Sequence, residues 1–226
     1  MPAGQTPKIP EEVPDEIAPP IMCSGATVLA ALKRTDTRSG QWIVIVGAGG
    51  GVGSMAIQCR RKPLPGKQNE GLEPGQKLQL TVKQVDSGDA KGKVCLQLGA
   101  EAFIDFRDCD HASDETRKIT GNGAHAVLVT GNTAAAYKDA CNHLRKCGTL
   151  VCVGLPTPGN GAFAGAEALH VTNNKWNIQG SVTSNMYDVN EALELAARGA
   201  VKPHVTTYPF GKWPEMVKQL ADSQSG

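Results

Sequence analysis

The 226 residues contain no C-x-x-C pair, no surplus of either charge, no apolar run of membrane length and no internal repeat. Each absence excludes a class. Seven cysteines, at 23, 59, 95, 109, 141, 147 and 152, are an odd number and read as reduced thiols rather than a disulfide framework. With 23 Lys+Arg against 22 Asp+Glu the formal charge is +1, and no basic block is present to neutralise phosphates, so nucleic acid is not expected as a partner. The longest apolar stretches, such as 42–46 and 150–155, are strand-sized, far below the roughly 20 residues of a membrane span, so no membrane contact is expected. The first 20 residues carry six prolines and several acids where a secretory leader needs a basic start and an apolar run, which points to a cytoplasmic protein.

What the sequence has in excess is glycine, 26 residues of it. Residues 1–22 are expected to be an extended connector arriving from a catalytic domain outside this chain, because prolines at 2, 7, 10, 14, 19 and 20 oppose a helix. Residues 23–34 then have helical spacing. From residue 41 onward short apolar runs alternate with helical segments, the signature of βαβ units in an α/β fold. Strands are expected at 42–46, 78–85, 102–106, 126–130, 149–153 and 177–182. Helices are expected at 52–62, 90–98, 113–119, 133–145, 189–198 and 214–222. The layout is a doubly wound parallel sheet of the Rossmann type over 23–226. Residues 63–77 pack three prolines and three glycines between a helix and its following strand, and read as an insertion or as a translated intron.

Directly after the apolar run WIVIV comes GAGGGVG, followed by a helical segment. In that context Gly47, Gly50, Gly51, Val52 and Gly53 are candidate dinucleotide-binding residues. A side chain would keep the backbone N–H groups and the positive helix end away from a pyrophosphate. The fingerprint also needs an acid closing the next strand, about 20 residues on, to hold the ribose hydroxyls. Glu73 has the spacing but no strand before it. Asp86 lies 33 residues past Gly53 but follows LQLTVKQV, and is preferred because the acid works from the carboxyl end of a strand; the suspected insertion accounts for the excess. The alternative is a solvated turn acid in VDSGD. A carboxylate there favours NAD over NADP by repelling a 2′-phosphate.

Several collinear stretches resemble the zinc-containing medium-chain alcohol dehydrogenases, in their yeast and fungal branch. They are APPIMCSGATV, VGAGGGVGSMAIQ, VDSGDAKGKVCLQLGAEAFIDF, TGNGAHAVLVT, GTLVCVGLP, WNIQGSV and EALELAARGAVKPH. The resemblance covers the cofactor domain and the segment entering it. It implies that Cys23 is a ligand of the catalytic zinc, which polarises the alcohol oxygen for hydride release to NAD. It makes Asp86 and Lys91 the ribose-binding pair, and Val153, Gly154 and Leu155 the strand end lining the nicotinamide. It implies subunit pairing through the strand bounded by Asn177 and Val182, as a homo-oligomer, and a small alcohol or aldehyde as substrate. The family's other zinc ligands, its proton relay and its structural zinc lie in a preceding domain, so this chain is expected to be incomplete and inactive alone. The alternative is a non-catalytic truncated homologue that binds cofactor weakly and pairs with an intact subunit. The cluster Cys141, His143, Cys147 and Cys152 is not expected to bind metal, since its members face different ways.

Overall fold

The computed structural model describes residues 6–38, 40–60, 82–86, 88–156, 163 and 166–224. The suspected insertion at 63–77, Glu73 and the first residues of the expected second strand lie outside them. Six strands, β1 (Ile43–Val46), β2 (Val82–Asp86), β3 (Ala102–Asp105), β4 (Ala124–Val129), β5 (Leu144–Cys152) and β6 (Asn177–Gly180), form one sheet in the order β3-β2-β1-β4-β5-β6. Every pairing is parallel. This is the doubly wound, Rossmann-type order, with its reversal between β1 and β4.

The central strand explains the layers. β1 is IVIV, buried throughout, and its β-branched side chains alternate between two cores. Ile43 and Ile45 enter a core with Leu128, Val151 and residues of α2 (Ala26–Arg34), α3 (Gly51–Arg60) and α8 (Met186–Ala197). Val44 and Val46 enter the opposite core with Val127, Val129, Leu150, Tyr137 and Cys141. The first core is tied at its rim by Lys33, whose Nζ meets Asp188 Oδ1 at 2.7 Å and Glu191 Oε2 at 2.6 Å, linking α2 to α8. Asn185 and Asp188 form a reciprocal capping box that fixes the start of α8.

Two expectations need correction. The connector is not extended to residue 22: Ala18–Pro20 form a helical turn, α1, and Ile21–Gly25 a π-helix that runs into α2. Prolines 19 and 20 are tolerated because the first turn of a helix has N–H groups without partners anyway. Nor is 133–145 one helix. α6 (Ala134–Lys138) gives way at Asp139 to a 3-10 turn, Ala140–His143, and β5 begins at Leu144, paired with Ala124 across a bulge. His143 draws the chain inward, its Nδ1 lying 2.7 Å from Thr116 Oγ1 and its Nε2 3.4 Å from Asp139 Oδ2. The remaining helices are α4 (Asp89–Leu98), α5 (Ala112–Thr120), α7 (Ala168–Asn174), which the sequence reading missed, and α9 (Trp213–Gln224). Among the described residues no helix is long and apolar enough to cross a membrane.

Candidate dinucleotide site at the switch point

At the end of β1 the chain turns through Gly47, whose φ of +83° belongs to glycine, and Gly50 N–H closes the turn on Gly47 O at 3.3 Å. α3 starts at Gly51. Two glycines here are required by space. A Cβ on Gly47 would sit 2.5 Å from Gly131 N, and one on Gly53 2.5 Å from Ala48 Cα. A Cβ on Gly51, by contrast, would meet nothing within 4 Å, so the room above the start of the helix is open. Val52 is half-buried and packs on the first core. The result is a cradle of backbone at the positive end of a ten-residue helix, the geometry that receives a diphosphate.

Asp86 closes β2, which is paired with β1 from Ile43↔Val82 to Val46↔Val85. That register carries its carboxylate to the mouth of the loop. Oδ2 accepts a hydrogen bond from Gly49 N–H at 2.8 Å, and Oδ1 accepts one from Lys91 Nζ at 3.2 Å. The loop glycines, Asp86 and Lys91 are therefore one assembly.

Three residues outside the glycine-loop fingerprint complete the surroundings, two beneath the loop and one at the end of β3. Thr130, at the end of β4, points its hydroxyl at Val46 O (2.9 Å) and Gly47 O (3.0 Å), locking β1 to its turn. Tyr137 of α6 donates to Gly154 O, and burial pushes its hydroxyl up to about 12. A Cβ on Gly154 would collide with the backbone of Gly131, the residue that also lies against Gly47, so Gly154 sits beside the glycine turn, while its neighbour Val153 packs on the first core. Leu155 is 74% exposed. The third is Asp105, at the end of β3 and in register with Asp86. Its carboxylate accepts from Gly88 N at 2.7 Å, Arg107 N at 3.0 Å, Arg107 Nε at 3.0 Å and Arg107 Nη2 at 2.7 Å. Asp105 closes β3 rather than the strand next after the glycine loop, and it lies inside the expected strand 102–106, so the fingerprint that selects Asp86 does not select it.

Cys23 lies in the π-helix and is exposed. Among the described residues there is no group of three or more His, Cys, Asp or Glu able to hold a metal ion. A catalytic zinc needs three protein ligands, so these residues alone do not fit one. A cleft of 520 Å³ opens beyond β3, lined by Arg107, Asp108, Cys109, His111 and Lys118 among others; it is not the crevice over the glycine loop.

The sheet order and the crevice at its reversal define the class as a Rossmann-type α/β protein. The profile of the zinc-binding dehydrogenases matches residues 77–198, more than half of the chain. The chain belongs to the zinc-binding dehydrogenase family. It is 34% identical over 216 residues to an alcohol dehydrogenase of Schizosaccharomyces pombe, covering 96% of this chain and 57% of that protein. It is 34% identical over 224 residues to alcohol dehydrogenase 1 of Neurospora crassa, covering 98% and 58%. The chain thus spans a little over half the length of these curated relatives. Among solved structures, the alcohol dehydrogenase TADH from Thermus sp. ATN1 superposes with a TM-score of 0.78 at 20% identity, over 96% of this chain and 60% of that one. At that identity the likeness is one of fold.

Proposed function

We propose that this chain is the NAD-binding part of a zinc-dependent alcohol dehydrogenase that transfers hydride between a small alcohol or aldehyde and NAD in the cytoplasm. The observation that carries the reading is the Asp86 carboxylate, 2.8 Å from Gly49 N at the mouth of the glycine loop. In this reading the backbone of Gly47, Gly50, Gly51, Val52 and Gly53 cradles the diphosphate, and the N–H groups at the positive end of α3 face it. Asp86 accepts from a ribose hydroxyl with Lys91 beside it, and Val153, Gly154 and Leu155 line the nicotinamide. The nicotinamide supplies the hydride acceptor when bound. Thr130 and Tyr137 hold the crevice floor in place through Gly47 and Gly154. Cys23 belongs to the zinc shell of a complete enzyme, and the described residues do not by themselves assemble the ligands of that metal.

Titration with NADH tests the reading. The unmodified chain is expected to bind, and Asp86→Asn to bind about tenfold more weakly, the loss of roughly one charge-assisted hydrogen bond. Equal affinity of the two would defeat it.

A second reading, a non-catalytic homologue that pairs with an intact subunit, is favoured by one feature. β6 ends the sheet order, and Val182 just after it is 67% exposed. An edge strand offers its unpaired backbone to another copy. Zinc-dependent NADH formation by this chain from ethanol and NAD would defeat the second reading, whereas NADH binding without turnover, together with co-purification with an intact subunit, supports it.

A further inference from the structure

We infer that Asp105 is a second determinant of cofactor choice at this site: by engaging the Arg107 guanidinium it cancels a cation that would otherwise greet a 2′-phosphate. The inference rests on the dinucleotide reading above and concerns which dinucleotide is accepted.

NAD and NADP differ only in the phosphate on the adenosine ribose, and sites that accept the phosphate commonly present an arginine to it. Arg107 stands in the place for that. A Cβ built on Gly88, two residues beyond the ribose acid Asp86, would lie 3.8 Å from Arg107 Nη2. The guanidinium thus flanks Gly88, close along the chain to the acid that would hold the ribose. Its side chain is 57% exposed, so it is within reach of a ligand.

Asp105 occupies it. Nε on Oδ1 at 3.0 Å and Nη2 on Oδ2 at 2.7 Å make a two-pronged pair, the strong geometry for arginine and carboxylate. The same carboxylate also takes the N–H groups of Gly88 and Arg107, so it is held by four donors and is itself 6% exposed at its side chain. Because Asp86 and Asp105 are register partners on adjacent strands, the ribose edge carries two ion pairs side by side, Asp86 with Lys91 and Asp105 with Arg107, with Asp89 and Asp108 adding negative charge near the arginine. A phosphate arriving there finds each cation already answered. Taking the charge from Asp105 breaks the two-pronged pair and releases Arg107, while the one oxygen left on asparagine still accepts from a single backbone N–H, of Gly88 or of Arg107.

The experiment is separate titration of the full chain with NADH and NADPH, followed by calorimetry, for the unmodified protein, Asp105→Asn, Arg107→Gln and the double variant. Asp105→Asn is expected to raise the ratio of NADPH to NADH affinity about tenfold, the worth of one charge-assisted contact. The double variant is expected to return the ratio to near its starting value, because the freed cation is gone. Arg107→Gln keeps the Gly88 bond and so the fold, but leaves Asp105 unneutralised; it is expected to lower the ratio. A merely structural Asp105 would weaken both cofactors equally, and unchanged ratios in Asp105→Asn and Arg107→Gln overturn the inference. If Asp105→Asn does not fold, Arg107→Gln alone decides. Failure of the unmodified chain to bind either dinucleotide would overturn the site reading and this inference together, while binding with unaltered ratios overturns only the inference.

Discussion

Replacing Gly53 and Gly51 separately by alanine should pull apart two jobs done by one loop. At Gly53 the added methyl would lie 2.5 Å from Ala48 Cα and 2.9 Å from Ala48 C, both backbone. Carbon atoms in contact prefer about 3.5–4.0 Å, so the turn and the start of α3 must part by about 1 Å. Overpacking of this kind costs roughly 1–3 kcal/mol. For a chain of this size each kcal/mol shifts Tm by about 2–4 °C, giving a fall of about 2–12 °C. At Gly51 the methyl meets nothing within 4 Å, and alanine gains about 0.5–1 kcal/mol over glycine in a helix, a rise of about 1–4 °C. NADH affinity should nonetheless fall in both variants, through a displaced loop at 53 and a filled approach at 51. Differential scanning calorimetry and NADH titration read the two effects. A Gly53→Ala protein that melts with the unmodified chain would refute the packing argument, and a Gly51→Ala protein that binds NADH unchanged would refute the placing of the diphosphate.

Burial pushes the thiols of Cys59 to about 12 and of Cys95 and Cys141 to about 11, while Cys23 and Cys147 are exposed. Disulfide-exchange labelling at pH 8 should therefore modify Cys23 and Cys147 first and reach Cys59, Cys95 and Cys141 only after unfolding, as peptide mapping would show; early labelling of Cys59 would contradict the packing of α3. The hydrogen bonds from Arg107, then those from Gly88 and Arg107 backbone N–H groups, hold the Asp105 carboxyl well below the usual carboxylate range. A depressed folded-state value means stability that is present above roughly pH 4, the unfolded value, and is lost as pH falls below it. The urea midpoint should drop between pH 5 and pH 3 in the unmodified protein and drop less in Asp105→Asn; identical pH profiles would show that the pair does not stabilise the fold.

The order of elements around β1 was legible because each signal there is local. Four β-branched residues, a glycine turn and a helix follow one another without interruption, and the choice of Asp86 over Glu73 needed only the rule that the acid closes a strand. Asp86 lies beside Gly49, while Glu73 falls outside the described residues. The parts that were illegible depend on distant partners. Nothing in TAAAYKDACNHLR says that the helix will give way at Asp139, or that His143 will turn inward to Thr116, 27 residues earlier. Prolines 19 and 20 were read as helix breakers, although a helix start accepts them. The bonds of Thr130 to Val46 and Gly47, and of Tyr137 on α6 to Gly154, join segments that only the fold brings together. Asp105 belongs with these, since its place beside Asp86 follows only from the pairing of β3 with β2.

The central claim is that the loop at 47–53 and Asp86 act together on one dinucleotide. A crystal structure of this chain grown with saturating NADH tests it most directly. The account predicts diphosphate density over the N–H groups at the start of α3 and an adenosine ribose hydroxyl within hydrogen-bond reach of the Asp86 carboxylate. NADH seated elsewhere, or a ribose turned away from Asp86, would contradict it.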